Sequence, residues 1–486
     1  MDSETVSRLA SAVAHRGPDA QSAWSEPRAV LVHAMLRTTP ESVNETQPYV
    51  DRELVIVADV RLDNRDDLVR ALAITSGATD AAFIAAAYRK WGRDCALHLE
   101  GDFAFATWNR DERTLFCARD HFGVKPFVYA FIPSKLFAFG SEVRAVLAHP
   151  DVPRDFDESR IADFLSIYFD ENERTFYRAL KRLPGASTLT LRNDTVAISE
   201  YWSPRGVRPL KLRGGDAAYA EGYLEHFTRA VRERMRIAPA TELGALMSGG
   251  LDSSSIACFV RDERRASGSA PLPVFSWIFS DERSADEREY QEAVLAEGGM
   301  QPFTLDSAVV DSSPFSDLDV LLDDGPIYAS NYYLNTRIAE TARTHQVKVL
   351  LDGLGGDSTI SRGAGRYAEL FFRGRAMTLI DELRALRTRR GSHESLPRLF
   401  AQQVIAPIAP ASVKKVARWF KRRNQNESGT ALIHPRLASL SRAREQQRFF
   451  LTERQEQVQQ LASPMLGEGL ELFDRMMAAF GVEGRY

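Results

Sequence analysis

The chain is 486 residues long, with 44% hydrophobic and 26% charged residues and a formal net charge of −4. That length exceeds what one hydrophobic core usually supports, so we expect two domains or more. The composition is that of a soluble globular protein, and its weak negative charge favours neither nucleic acid nor an anionic membrane as a partner. The three cysteines, Cys95, Cys117 and Cys258, are too few and too scattered for a disulfide framework or a zinc site, which fits a cytoplasmic location. No apolar run is long enough to span a membrane.

Short apolar runs separated by turns dominate the first part of the chain. Their spacing predicts a largely antiparallel, sheet-rich domain over residues 1–205. The predicted strands lie at 29–32, 54–60, 103–108, 114–118, 126–131 and 136–139.

The pattern changes after a segment rich in Arg, Lys, Pro and Gly at 206–216. Long helical segments then alternate with single buried strands, which we predict at 243–247, 274–279 and 347–351. This alternation indicates a parallel α/β sheet. We therefore place a domain boundary near residue 205 and a second domain at 206–486.

A loop rich in serine and glycine, from Ser248 to Ser254, links the predicted strand 243–247 to a predicted helix at 255–265. Two glycines let the backbone approach phosphate oxygens, and the N–H groups of the helix start and the serine hydroxyls are donors for them. Asp252 only accepts hydrogen bonds at neutral pH, so beside a polyphosphate we expect it to bind a hard cation such as Mg²⁺. The predicted pyrophosphate site consists of Ser248, Gly249, Gly250, Asp252, Ser253 and Ser254. The alternative is a serine-rich turn that only caps a helix.

A second loop, Asp352-Gly353-Leu354-Gly355-Gly356-Asp357, follows the predicted strand 347–351. Ligands of parallel sheets collect at the carboxyl ends of the strands near a topological switch, so we expect this loop to lie beside the Ser248 loop. Asp357 would then face Asp252 across the phosphates and help to hold the metal. The alternative is a tight strand-to-helix turn with an Asp cap.

Six stretches of the chain resemble the asparagine synthetase superfamily, in the order in which that family presents them. They are HRGPD at 15–19, GDFAFA at 101–106, ARDHFGVKP at 118–126, LPG at 183–185, YW at 201–202 and the Ser248 loop. The resemblance implies an α+β glutaminase-like domain of Ntn-hydrolase type, followed by an α/β domain of ATP-pyrophosphatase type. It also implies that the second domain uses ATP to adenylate a carboxylate, which an amine converts to an amide with release of AMP and pyrophosphate.

The same resemblance implies ATP and Mg²⁺ as cofactors. Matched position by position, it places backbone contacts to adenine and ribose at Leu246, Ile278 and Gly353. Plain strand core is an equally typical role for these three positions.

Departures from the family pattern argue against glutamine as the nitrogen donor. Glutamine-using members carry a nucleophilic cysteine at the mature N-terminus, whereas this chain begins Met1-Asp2-Ser3. Where they present Asn-Gly-Glu, this chain has Asp59-Val60-Arg61. An acidic group in an oxyanion hole opposes the charge that the hole stabilises. We therefore expect the first domain to be inactive as a glutaminase.

Members that do not use ammonia take the amine from their substrate, and the loop from Leu350 to Asp357 looks most like the lasso peptide macrolactam cyclases. That resemblance implies adenylation of an Asp or Glu side chain of a precursor peptide, attack by the peptide's N-terminal amine, and a leader-binding protein and a leader peptidase as partners. An asparagine synthase that hydrolyses glutamine and a non-catalytic remnant are the alternatives.

Both ends of the sequence depart from the family as well. We expect the first strand of the glutaminase-like domain to be missing and the C-terminus to be incomplete. The lysine that neutralises charge on the adenylate in relatives has no counterpart, and Leu354 stands where relatives carry a catalytic tyrosine or glutamate. No catalytic residue is therefore assigned.

Overall fold

The computed structural model describes residues 3–169, 171–308, 332–360, 364–389, 394–406, 409, 433–441 and 452–486. The chain divides into two compact units. The first comprises residues 1–156, 171–354 and 467–486, and the second comprises 157–170 and 355–466. Both predicted domains contribute to the first unit, and the boundary near residue 205 stays a prediction.

All strands of the described residues lie in the first unit. They are β1 (Ala20–Glu26), β2 (Ala29–Met35), β3 (Tyr49–Asp51), β4 (Leu54–Leu62), β5 (Gly101–Asn109), β6 (Thr114–Arg119), β7 (Val128–Ile132), β8 (Leu136–Gly140), β9 (Leu180–Arg182), β10 (Ser187–Arg192), β11 (Thr195–Glu200), β12 (Glu242–Leu246), β13 (Leu272–Ile278), β14 (Met300–Asp306), β15 (Val347–Leu351) and β16 (Glu483–Arg485).

Helices occur in both units. They are α1 (Ser3–Val13), α2 (Arg65–Leu72), α3 (Asp80–Trp91), α4 (Val143–Leu147), α5 (Glu158–Leu165), α6 (Gly215–Arg234), α7 (Leu251–Ala266), α8 (Arg288–Leu295), α9 (Tyr332–Thr344), α10 (Gly356–Ile360), α11 (Ala364–Phe372), α12 (Ala376–Arg389), α13 (Leu396–Phe400), α14 (Pro435–Leu440), α15 (Glu453–Leu461) and α16 (Pro464–Ala478).

The N-terminal strands form three antiparallel sheets with the orders β1-β2, β11-β10-β6-β5-β4-β3 and β8-β7-β9. Successive side chains of a strand point to opposite faces of its sheet, so β4 can pack against a different layer on each face. Leu54 and Ile56 pack with residues of α2 and α3, whereas Val55 and Val57 pack with residues of β2 and β7. Helix α4 packs on the far side of β7 and β8. The result is the layered α+β architecture expected of an Ntn-type domain.

All six strands predicted in this part are present, as β2 and β4 to β8, with ends shifted by a few residues. The sequence analysis missed β1, β3, β9, β10 and β11. Strand β11 shows the reason most clearly, since five of its six residues are exposed and give no apolar run. The fold class predicted from the sequence is confirmed.

The C-terminal part of the first unit contains a parallel sheet with the order β14-β13-β12-β15-β16. Helices α6, α7 and α8 cover one face around Val260 and Val274. Helices α9 and α16 cover the other face around Leu350 and Met477. The three strands predicted here are β12, β13 and β15, so the parallel α/β sheet is confirmed.

Buried ion pairs join helix α16 to the N-terminal strands within the first unit. Asp474 on α16 accepts hydrogen bonds from Arg16 Nη2 at 2.6 Å and from Lys125 Nζ at 2.9 Å. Burial would lower the pKa of Lys125, but Asp474 and Asp59 outweigh this effect and raise the pKa well above its usual value. The Lys125 ammonium group is therefore charged at neutral pH.

Glu471, one turn earlier on α16, makes a second set of buried ion pairs. Its two carboxylate oxygens accept from Arg119 Nη2 at 2.9 Å and from Arg182 Nε at 2.8 Å. Burial would raise the pKa of Glu471, but Arg182 and Arg119 lower it to about 2. The last helix is thus bound to the glutaminase-like half by compensated charges.

The second unit is helical in the residues that the structure describes. Its core contains Leu370, Leu379, Leu383, Leu399 and Val404, contributed by α11, α12, α13 and the turn after α13. Nowhere in the described parts of either unit is a helix both long and apolar enough to cross a lipid bilayer.

We predict that Glu471→Gln lowers the free energy of unfolding by about 3–5 kcal/mol, because it leaves two buried guanidinium groups without their anion. Because the pKa of Glu471 lies below its ordinary value of 4.5, its contribution is present above that pH and is lost as the pH falls toward about 2. Urea titrations at pH 7 and pH 3 should therefore show a smaller difference between variant and wild type at pH 3. The control is Asp67→Asn in the exposed pair Asp67–Arg70, which should cost under about 1 kcal/mol. Equal stability of the two variants would contradict the prediction.

Candidate nucleotide site

The Ser248 loop and residues 352–354 of the second loop lie side by side at the carboxyl ends of β12 and β15. Strand β12 pairs in parallel with β13 on one side and with β15 on the other. The chain therefore leaves β12 in one direction and later returns on its opposite flank, which makes the gap between β12 and β15 a topological switch point. Crevices at such points bind ligands in open α/β sheets.

The Ser248 loop is held in one conformation by its own serines. Ser253 Oγ accepts the Ser248 N–H at 3.1 Å and lies 3.1 Å from Ser248 Oγ, which in turn accepts the Gly250 N–H at 3.2 Å. Gly249 has a φ of +96°, where a side chain would be strained, and a Cβ there would lie 3.0 Å from the Glu287 carbonyl oxygen. The side chain of Gln291, which lies outside the loop, stabilises it by donating a hydrogen bond from Nε2 to the Ser248 carbonyl oxygen at 3.1 Å.

Helix α7 starts inside this loop, so its first N–H groups are available at the strand end. The predicted helix at 255–265 therefore begins four residues earlier than expected, at Leu251, and includes Asp252, Ser253 and Ser254. Ser254 Oγ is buried and has no hydrogen-bond partner among the described residues. The structure thus offers an unused hydroxyl and a helix N-terminus, which are the donors that a pyrophosphate requires.

Gly353 brings the second loop into contact with this helix start. A Cβ at Gly353 would lie 2.8 Å from the Ser253 backbone nitrogen and 3.1 Å from the Asp252 carbonyl carbon. Only a residue without a side chain allows this approach. The expectation that the Gly353 loop lies beside the Ser248 loop is met for the residues up to Leu354, which belong to the first unit.

Asp252 is half-buried in the first turn of α7. The pKa of the nearby Tyr223 hydroxyl is raised, mainly by burial and to a lesser extent by the charge of Asp252. Asp357 is exposed in the first turn of α10 and belongs to the second unit. Its pairing with Asp252 across a metal stays a prediction. A carboxylate beside phosphate donors fits Mg²⁺, which is commonly bound by one or two carboxylates together with substrate phosphates. Among the described residues, no group of three or more His, Cys, Asp and Glu side chains forms a metal site by itself.

Leu246 and Ile278 are the last residues of β12 and β13, so both flank the same crevice as Gly353. Both side chains are half-buried, and that of Leu246 packs on the core of the sheet. The Ile278 carbonyl already accepts the Ser307 N–H at 3.0 Å. Their positions therefore agree equally with backbone contacts to a nucleoside and with strand core.

Asp352 is a titratable residue of this crevice that the sequence analysis did not single out. Burial raises its pKa to about 6, although the N–H groups of Gly353 and Leu354 oppose this shift. Its backbone N–H donates to the Arg485 carbonyl at 2.9 Å, so β16 fixes the start of the loop. The signal in the sequence was present, because an Asp directly after a buried strand stands at the ligand end of a parallel sheet.

The glutaminase-like half contains no candidate nucleophilic thiol among the described residues. Cys95 and Cys117 are fully buried, and burial raises the pKa of Cys95 to about 12 and that of Cys117 further still. Cys258 lies on α7 in the other half. A thiol with a raised pKa is a poor nucleophile at neutral pH. That this half does not hydrolyse glutamine stays a prediction.

Asp59 does not act as a bare acid in an oxyanion hole. Its carboxylate lies 3.1 Å from Arg16 Nη2 and 3.3 Å from Lys125 Nζ. Burial would raise its pKa, but Lys125 and Arg16 outweigh burial and lower it. Arg61, two residues later, is fully buried and bonds to Asp63 and Asp102. Asp59 and Arg61 are therefore both engaged in ion pairs. The guanidinium group of Arg61 is not free to donate a hydrogen bond to an oxyanion.

Comparison with known proteins agrees with this geometry. A glutamine amidotransferase domain model matches residues 1–202, and the asparagine synthase model matches residues 222–486, which is more than half of the chain. The chain belongs to the asparagine synthase family.

Several curated relatives share this architecture. The chain is 28% identical over 284 residues to the glutamine-hydrolysing asparagine synthetase 3 of Bacillus subtilis, a match that covers 57% of this chain and 45% of that protein. It is 27% identical over 365 residues to amidase chyE of Penicillium rubens, with 71% of this chain and 53% of that protein covered. The chain thus spans about half the length of these relatives.

We predict that Gly353→Ala weakens ATP binding by about tenfold or more, because the added methyl group meets the backbone of Ser253 and pushes the two loops apart. The free energy of unfolding should fall by about 1–3 kcal/mol, as is usual for overpacking. Calorimetric titration with Mg–ATP and thermal denaturation provide the two measurements. Gly77→Ala is the matched control, since nothing lies within 4 Å of a Cβ there. Unchanged ATP affinity in the Gly353 variant would show that the loops need not touch.

Proposed function

We propose that this protein forms an amide bond within a peptide, as a macrolactam synthetase of the lasso peptide type. It uses ATP to adenylate an Asp or Glu side chain of the peptide, and the peptide's own N-terminal amine then displaces AMP. Membership of the asparagine synthase family supports the class, an ATP-dependent carbon–nitrogen ligase. The observation that carries the proposal is the nucleotide crevice at the β12–β15 switch point.

The crevice accounts for the ATP-dependent half-reaction. The N–H groups at the start of α7 and the hydroxyls of Ser248 and Ser254 would bind the departing pyrophosphate, whose charge increases as the bond to the α-phosphorus breaks. Mg²⁺, bound by Asp252 and, as we propose, Asp357, would supply further neutralisation of the phosphates. The backbone at Leu246, Ile278 and Gly353 would contact the adenine and ribose.

The nitrogen donor that we propose is an amine of the substrate itself. The thiols of Cys95 and Cys117 are buried and protonated, and Asp59 is bound by Arg16 and Lys125. Among the described residues this half thus offers no nucleophile for glutamine, and an amine on the substrate would need none. Holding both ends of one peptide in contact contributes on the order of 7–11 kcal/mol to such a reaction.

A proton must leave the attacking amine, and Leu354 cannot accept it. Asp352, with its pKa near 6, is the titratable side chain of the crevice whose charge state suits this role at neutral pH. The partners that we propose are a precursor peptide, a leader-binding protein and a leader peptidase that frees the peptide's amine. They follow from the substrate class alone.

The decisive test is exchange of labelled pyrophosphate into ATP in the presence of a linear core peptide. We expect exchange that depends on the peptide's carboxylate and needs no glutamine, together with a product lighter by one water. Acetylating the peptide's amine should leave exchange intact and abolish ring closure. Formation of free asparagine from aspartate and glutamine would overturn the proposal in favour of an ordinary asparagine synthetase, and nucleotide binding without exchange would indicate a non-catalytic remnant.

We predict that Asp252→Asn lowers the exchange rate by about a hundredfold or more, since an amide cannot replace a carboxylate as a ligand of Mg²⁺ beside phosphates. The control is Asp262→Asn on the same helix, an exposed aspartate paired with Arg261. That variant should exchange at the wild-type rate. A similar loss in both variants would mean that the helix was disturbed and not the site.

A further inference from the structure

The side-chain amide of Gln291 joins two strand ends that border the nucleotide crevice. Strands β12 and β13 stay connected up to Met247, whose N–H donates to the Phe275 carbonyl at 2.9 Å. Beyond this point Gln291 Nε2 donates to the Ser248 carbonyl at 3.1 Å and to the Trp277 carbonyl at 2.9 Å. Both acceptors are carbonyl oxygens, so it is the nitrogen of the amide that faces them. The amide thus continues the connection between the strands where backbone pairing has ended.

Gln291 is built into the wall of the Ser248 loop. It lies in α8, and only 3% of its surface is exposed. The start of this helix packs directly on the loop, because a Cβ at Gly249 would lie 3.0 Å from the Glu287 carbonyl oxygen and 3.2 Å from the Tyr290 Cβ. A buried amide needs hydrogen-bond partners, and the two strand ends supply them. The Ser248 carbonyl is therefore held toward α8.

The direction of this carbonyl fixes the direction of the next N–H group. Ser248 and Gly249 are joined by a trans peptide bond, in which the C=O and N–H groups point to opposite sides. With the carbonyl held toward Gln291, the Gly249 N–H points away from α8. The φ of +96° at Gly249 then turns the chain into the start of α7. Successive N–H groups in a turn of this kind form a concave site for an anion.

We propose that Gln291 is a positioning residue for the phosphates of ATP, which holds the Ser248 carbonyl toward α8 so that the Gly249 N–H faces the pyrophosphate portion of the nucleotide. This inference rests on the proposed use of ATP in the crevice, but not on the identity of the substrate that is activated. Without the amide, the peptide group between Ser248 and Gly249 is free to rotate, because glycine tolerates many backbone conformations. The loop then loses one phosphate donor, while the strand ends that flank the nucleoside keep their place.

The first test compares three ligands in the variant Gln291→Met, whose side chain has a similar length but cannot donate. We expect the dissociation constants of Mg–pyrophosphate and Mg–ATP to rise about tenfold, and that of AMP to change by less than about twofold, because only a hydrogen bond to the charged pyrophosphate portion is lost. A merely structural role would weaken all three ligands together. Calorimetric titration provides the three constants.

Gln47→Met is the matched control. Gln47 is as buried as Gln291, with 3% of its surface exposed, and its amide also donates to a backbone carbonyl, that of Ala58 in the glutaminase-like half. We expect this variant to lose a similar amount of stability in thermal denaturation and to keep the wild-type affinity for all three ligands.

A spectroscopic measurement on the wild-type protein follows the Gly249 N–H itself. The sequence contains four Ser-Gly pairs, so labelling serine carbonyls with ¹³C and glycine nitrogens with ¹⁵N reduces the amide correlation spectrum to four signals. Mg–pyrophosphate should move the Gly249 proton signal downfield, as a hydrogen bond to an anion does, and leave those of Gly77 and Gly268 in place. The variant Ser248→Ala removes the Gly249 signal and so assigns it.

Four outcomes would overturn the proposal. They are no binding of Mg–pyrophosphate by the wild-type protein, unchanged pyrophosphate affinity in Gln291→Met, an equal loss of AMP affinity in that variant, and an unshifted Gly249 signal in protein saturated with Mg–pyrophosphate. If Gln291→Met does not fold, the Gly249 signal of the wild type decides. Pyrophosphate binding that depends on Gln291, in a protein without peptide-dependent exchange, would support this inference and overturn the proposed function, so the two can fail separately.

Discussion

The ion pairs of Asp474 are the constraint on which the first unit depends. This carboxylate lies between two buried cations, Arg16 at 2.6 Å and Lys125 at 2.9 Å, which come from the glutaminase-like half. Removing one member of such a set leaves an uncompensated buried charge, which typically costs about 3–5 kcal/mol. The position of helix α16 therefore depends on cations that the glutaminase-like half supplies.

Asp59 belongs to the same ion cluster. As an anion it adds a third acidic partner beside Arg16, together with Asp474 and Glu142. It also lies 3.3 Å from Lys125 Nζ, whose charge a neutral amide in its place could not balance.

Local chemistry is what the sequence predicted well. The strand-to-helix turn at Ser248 and the parallel strands were both read from short stretches, because turn residues and apolar runs act within a few positions. Contacts between distant residues were not predictable in this way. The pairing of Asp474 with Arg16 joins positions 458 residues apart. The boundary near residue 205 and the pairing of Asp252 with Asp357 remain predictions.

The ion cluster and the nucleotide crevice are connected through the last strand of the sheet. Glu483 on β16 lies 3.5 Å from Arg61 of the glutaminase-like half, and it also accepts from Arg485 Nε at 3.0 Å. The guanidinium of Arg485 donates in addition to two carbonyls at the end of α6, while its own carbonyl accepts the N–H of Asp352. Because β16 is only three residues long, backbone pairing alone would hold it weakly. Its side chains supply further contacts, and through Glu483 and Arg61 they connect the start of the Asp352 loop to the glutaminase-like half.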